Sequence, residues 1–99
     1  MEKELVFSEL NAVYGGLLTQ KQREVIELYY SCDLSLAEIS EIKGISRNGA
    51  LDNLEQAKKN LMKYESVLKL LEKRKKLSLL AESVSDDKLK RTLNDILGD

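Results

Sequence analysis

Between Leu18 and Leu61 the chain reads LTQKQREVIELYYSCDLSLAEISEIKGISRNGALDNLEQAKKNL, with three helix starts at short spacing. Thr19 with Gln22 forms one capping box and Ser35 with Glu38 another. In each, a hydroxyl and a side-chain carbonyl satisfy the orphan N–H groups of a first turn reciprocally. Gly44 marks a stop, because glycine takes the left-handed backbone without steric penalty. Ile45 plugs the turn, and Ser46 caps a further helix on which Ala50, Leu54, Ala57 and Leu61 recur on one side. A four-residue turn between the third and fourth helices falls in the helix-turn-helix range.

The flanking segments are helical too. Leu5, Leu10, Val13 and Tyr14 lie at helical spacing between Glu4 and Tyr14, with Val6 and Phe7 widening the stripe, until Gly15-Gly16 ends it. The second helix carries Val25, Ile26, Leu28, Tyr29 and Tyr30 on a broad apolar face, and the third turns Leu36, Ile39 and Ile42 inward. From Ser66 the apolar pattern continues through Val67, Leu68, Leu70, Leu71, Leu77, Leu79 and Leu80. Ser85 is expected to cap a last helix, with Asp86 and Asp87 in its first turn against the positive end of the dipole and Gly98 as its stop. The expectation is an all-α chain of six helices: a helix-turn-helix domain over residues 1–64 and a two-helix extension over residues 65–99.

Composition narrows the function. With no proline, few aromatics and abundant Leu, Glu and Lys, helix is favoured throughout. Ninety-nine residues allow one modest core and little room for a substrate cavity. Histidine, the commonest general base and metal ligand, is absent, and Cys32 is the only cysteine. No P-loop, metal-ligand set or nucleophile–base arrangement is present, so no catalytic residue, metal or cofactor is expected. The lone thiol points to the cytoplasm, and the acidic start MEKELVFSEL has no apolar run long enough for membrane insertion. A formal net charge of −1 provides no global basic field to steer the chain onto phosphates.

The run LTQKQREVIELYY, LSLAEISEIKGISRNGA and LEQAKKNL resembles region 4 of bacterial sigma factors and related response-regulator domains. Across nearly its whole length, including the first helix and the leucine-rich tail, the chain is similar to the YlxM-type helix-turn-helix proteins. That resemblance implies an all-helical fold and a part in the signal recognition particle pathway, because genes of this type commonly sit beside those for the particle's GTPase or its receptor. The implied partners are the particle's protein or RNA components.

One departure decides how the motif is read. In sigma-like domains the exposed positions after the Ile-Ser-Arg start are repeatedly arginine or lysine, which neutralise phosphates and bond guanine. Here Arg47 is kept, but Leu51, Asn53 and Gln56 stand where cations are expected, and Asp52 and Glu55 add negative charge. From Thr19 to Lys63 seven basic residues meet seven acidic ones. Such a change weakens duplex affinity by several factors of ten, as an order of magnitude. The favoured expectation is therefore a non-enzymatic accessory protein acting through protein or RNA binding. The alternative is a DNA-binding transcription regulator using Arg47, Asn48, Asn53, Gln56, Lys58 and Lys59, with asparagine and glutamine reading adenine edges.

Two further features belong to the extension. Lys73, Arg74, Lys75 and Lys76 form the densest positive run, with Lys69 before it and Lys88, Lys90 and Arg91 beyond; it is either a phosphate contact or a solvated face. Val67, Leu71, Leu77, Leu80, Val84, Leu89, Leu93 and Ile96 make a seam too apolar to leave exposed. It either folds back or builds a two-fold homodimer, and the dimer is the expectation adopted. Tyr29 and Tyr30 can be read as a base-stacking pair, but adjacent helical residues point about 100° apart, so one core and one flanking residue is the simpler reading.

Overall fold

The computed structural model describes residues 3–98, so Met1 and Glu2 of the acidic start, and Asp99, lie outside the described residues. Six α-helices follow one another: α1 Leu5–Tyr14, α2 Gln20–Ile26, α3 Leu36–Lys43, α4 Arg47–Leu68, α5 Leu70–Ser83 and α6 Asp87–Leu97. No strand occurs among the described residues. The fold is all-α, as the periodicity indicates. Two compact units divide the chain, Met1–Leu68 and Lys69–Asp99.

In the first unit α4 is the central element, and α1, α2 and α3 all pack on it. Ala50, Leu54, Ala57 and Leu61 form its buried stripe, the two alanines letting neighbouring helices approach closely. Against them lie Phe7, Leu10 and Tyr14 of α1, Val25 and Ile26 of α2, and Ile39 of α3. Full burial of such a branched or aromatic side chain contributes about 1.5–3 kcal/mol. On α1 the inward residues are Phe7, Leu10 and Tyr14, while Leu5 and Val6 are exposed. Ile42, expected inward, is also exposed: three residues past Ile39 it is turned about 60° around α3 from that buried position.

Between the helices the backbone is held by specific bonds. A 3-10 turn at Gly15–Leu17 closes α1, and a Cβ on Gly15 would sit 2.6 Å from Asn11 Oδ1, so a larger residue there would displace the Asn11 amide. α2 widens into a π-type turn over Glu27–Ser31, where the Cys32 N–H donates to the Glu27 carbonyl at 3.0 Å. Three residues, and not four, separate α3 from α4. Lys69 breaks α4 from α5 with φ 53° and ψ 32°, the left-handed conformation in a residue with a side chain.

The second unit is a helix pair, α5 with α6. Ala81, Leu93 and Leu97 make its core, with Leu77 and Val84 packed alongside. The cap of α6 is Asp86, whose carboxylate accepts from the Leu89 N–H at 3.0 Å, and not Ser85. Asp86 holds the extended backbone of an N-cap residue, three positions before the N–H it bonds, which leaves Ser85 one residue too early.

Candidate functional site

The outward surface of the helix-turn-helix is built by α3, the turn Gly44-Ile45-Ser46 and the first half of α4. Ser35 Oγ accepts from the Glu38 N–H at 3.1 Å, and Glu38 Oε1 accepts from the Ser35 N–H at the same distance. Those bonds, the Ser35 N–H foremost, hold the Glu38 carboxyl below the usual glutamate range. Gly44 turns the chain at φ 66°, with its N–H donating to the Glu41 and Ser40 carbonyls. Ser46 Oγ accepts from the Gly49 N–H at 3.0 Å and so starts α4.

On α4 the expected recognition residues separate into two groups. Arg47, Asn48, Leu51, Gln56 and Lys59 are exposed, together with Asp52 and Glu55. Asn53 is half-buried and donates to the Gly49 carbonyl at 3.1 Å, so its amide is turned along its own helix. Lys58 is turned inward: its ammonium lies 4.9 Å from the centre of the Phe7 ring and 3.9 Å from Glu55. A second cation of the motif is likewise engaged, since Lys43 is bonded to the Glu24 carboxylate of α2. This bond is the main reason the Glu24 carboxyl is held below its usual range.

The electrostatic result is an outward face with few cations aimed at solvent. Residues 1–68 carry eight basic and eleven acidic residues, a net of −3, whereas residues 69–99 carry eight and six, a net of +2. Duplex binding scales with the number of phosphates neutralised. A helix-turn-helix unit of negative charge lacks that driving force.

Lys3 is a structural residue with no local sequence signal. Its ammonium donates to the Tyr29 and Leu34 carbonyls at 2.7 and 2.6 Å, lies 3.8 Å from the Tyr29 ring centre, and pairs with Asp33 at 3.4 Å. It thereby supplies a cation to the carboxyl end of the α2 segment, where the orphan carbonyls need donors. The partners lie 26 and 31 residues away, beyond the reach of helical spacing.

In the second unit, Lys73, Arg74, Lys75 and Lys76 are all exposed on α5, with Lys76 paired to Glu72 at 3.4 Å. Being consecutive, they point about 100° apart and spread around the helix instead of sharing one face. Lys88, Lys90 and Arg91 are exposed on α6. Of the expected seam, Leu71 and Leu93 are buried and Leu77 is half-buried; Val67, Leu80, Leu89 and Ile96 are exposed. Among the described residues no group of three or more His, Cys, Asp or Glu is placed to hold a metal ion. No described helix is long and apolar enough to cross a membrane.

Comparison with known proteins agrees with this architecture. Residues 1–97 match the model of the UPF0122 family, described as "Putative helix-turn-helix protein, YlxM / p13 like". The chain belongs to the UPF0122 family. A UPF0122 protein of Clostridium acetobutylicum is 40% identical over 86 residues, spanning 87% of this chain and 74% of that protein. One from Caldanaerobacter subterraneus is 44% identical over 87 residues, with the same shares covered. A UPF0122 protein of Ureaplasma parvum is 43% identical over 84 residues, covering 85% of each. The UPF0122 match takes in the helix-turn-helix and almost all of the α5–α6 extension, so both units belong to the family's pattern.

Proposed function

We propose that this UPF0122 protein is a non-enzymatic accessory factor of the signal recognition particle pathway, acting by binding the particle's protein or RNA. One observation carries the reading. The helix-turn-helix keeps its scaffold, with both capping boxes and the Gly44 turn in place, while its unit has a net charge of −3 and two of its lysines are turned onto protein partners. A scaffold retained without phosphate-binding charge is suited to docking on a protein. The pathway is drawn from the gene neighbourhood that the resemblance to YlxM-type proteins implies, and the exposed run Lys73–Lys76 supports an electrostatic contact with a polyanion such as RNA. In this reading the extension dimerises through its exposed apolar residues, and the protein works in the cytoplasm.

A second reading has one observation in its favour. Arg47, Asn48, Gln56 and Lys59 remain exposed at the start of a correctly capped second helix, the arrangement a DNA-binding regulator uses. The experiment measures GTP turnover and assembly of purified particle and receptor with and without this protein, alongside titration of a mixed duplex pool. Altered turnover is expected. Unchanged turnover and assembly would sink the pathway reading, and salt-sensitive, sequence-selective duplex binding would install the second.

A further inference from the structure

At the edge of the helix-turn-helix lies a cleft of about 220 Å³ in which the segment before α1, the π-type turn, α3 and α4 meet. Leu36, Leu51, Leu54 and Tyr30 line it, Leu54 being the buried one among them. Glu4, Glu55 and Lys58 stand at the rim. Leu51 is 38% exposed although it sits on the recognition helix, where an apolar side chain in water gains nothing unless something covers it.

The size and the chemistry of this cleft select the occupant. Small-molecule sites run from about 300 to 1,000 Å³, so this one holds an apolar side chain or two and not a cofactor. Base stacking is disfavoured because the aromatic surfaces are already used. Lys3 covers the Tyr29 ring, Tyr29 meets Tyr30 edge to face at 4.9 Å, and Phe7 lies 5.4 Å from Tyr30. The two lysines of the cleft are also engaged, Lys3 by two carbonyls and Asp33, Lys58 by the Phe7 ring and Glu55. What is left to face a visitor is carboxylate. Glu4, Asp52 and Glu55 are exposed on the segments that border the cleft, Glu55 held only loosely at 3.9 Å from Lys58, in a unit of net charge −3.

We propose that the cleft between Leu36, Leu51 and Tyr30 is a docking site for a basic protein segment, which inserts an apolar anchor side chain onto Leu54 while its lysines or arginines meet the surrounding carboxylates. Burial of the anchor gives the affinity, and the charge pattern gives orientation and on-rate. The proposal rests on the reading of this motif as a protein-docking scaffold.

The test uses the full chain with isotope-labelled leucine methyls and three helical peptides of about 18 residues, long enough to hold a helix. One carries leucine on one face and lysine elsewhere, one pairs leucine with glutamate, and one pairs serine with lysine. The leucine–lysine peptide is expected to bind, to shift the Leu36, Leu51 and Leu54 methyls, and to weaken with salt. Leu51→Arg and Glu55→Lys should each reduce its affinity by about tenfold, the scale of a truncated anchor. Circular dichroism establishes that the variants are folded, and Leu51→Gln replaces Leu51→Arg if the latter is not. Equal binding of the leucine–glutamate or serine–lysine peptide overturns the proposal, as does undiminished binding by folded Leu51 and Glu55 variants. So does a loss caused instead by Leu89→Ser in the second unit. Failure of the pathway reading looks different: peptide binding at the cleft with no effect on particle turnover removes the pathway and keeps the docking site. Altered turnover with unmoved cleft methyls keeps the pathway and removes the site.

Discussion

The Tyr14 hydroxyl donates a 2.6 Å hydrogen bond to the Glu65 carboxylate, linking the last residue of α1 to the final turns of α4 across 51 residues of sequence. The Tyr14 ring is fully buried, and Tyr64 lies beside it with ring centres 6.0 Å apart. Apolar contact fixes the ring, and the bond to a carboxylate satisfies the hydroxyl that burial would otherwise strand.

Removing only that bond isolates its worth. Tyr14→Phe keeps the ring contacts and is expected to destabilise the protein by about 1–2 kcal/mol, within the range for a hydrogen bond to a charged group. Urea denaturation followed by circular dichroism measures it. A Tyr14→Phe protein as stable as the parent would mean that the hydroxyl is as well served by water.

Gly44 is the second test. Its φ of 66° is left-handed, and nothing lies within 4 Å of a Cβ built there, so Gly44→Ala meets backbone strain alone. The expected loss is about 1 kcal/mol. Gly44→Asn should lose less, since asparagine tolerates this conformation better. Equal losses for the two would show that space, and not backbone angle, decides the turn.

Acid should weaken the helix-turn-helix through two carboxylates. Lys43 holds the Glu24 carboxyl below its usual value of 4.5, and the Ser35 N–H does the same for Glu38. Because the folded values are depressed, the stabilisation is fully present above the unfolded value and fades as pH falls through the folded ones. Thermal melts taken from about pH 6 to about pH 3 should therefore fall off below about pH 4.5. The double variant Glu24→Gln, Glu38→Gln should flatten that limb, and an unchanged limb would assign it to other carboxylates.

Restoring charge to the outward face tests the argument about DNA. Asp52→Lys with Gln56→Arg is expected to raise affinity for a mixed-sequence duplex by roughly ten- to a hundredfold at low salt, with a steeper salt dependence. Fluorescence anisotropy against a salt series reads both. No gain would mean that this surface does not meet a duplex at all.

Much of the helix-turn-helix was legible because its signals are local. Thr19 with Gln22 and Ser35 with Glu38 form both halves of their capping boxes, Gly44 takes the left-handed turn, and Ser46 caps α4. Each depends on residues no more than four positions apart. What was not legible depends on tertiary partners. Ile42 matches the spacing of Leu36 and Ile39, yet it stays exposed while Ile39 is fully buried. Ser85 and Asp86 are both good caps, and only the backbone selects between them. Lys3 carries no sequence signal, since its carbonyl partners are distant in sequence, and the spacing of Lys58 suits a phosphate cation although its ammonium lies 4.9 Å from the Phe7 ring centre. The cleft at Leu51 draws on four separate elements and has no spacing of its own.

The turn at Lys69 has a consequence for how the two units come to exist. Neither glycine nor proline lies between Ala50 and Gly98, and the sequence on either side, KYESVLKLLEKRKK, is rich in strong helix formers. Local preference at that point is for an unbroken helix, so the left-handed residue runs against the segment's own propensity. A peptide cut from residues 60–80 should accordingly be helical straight through Lys69, without the interruption seen in the whole protein. The border between the two units is thus not written in the helix propensities of the residues that form it.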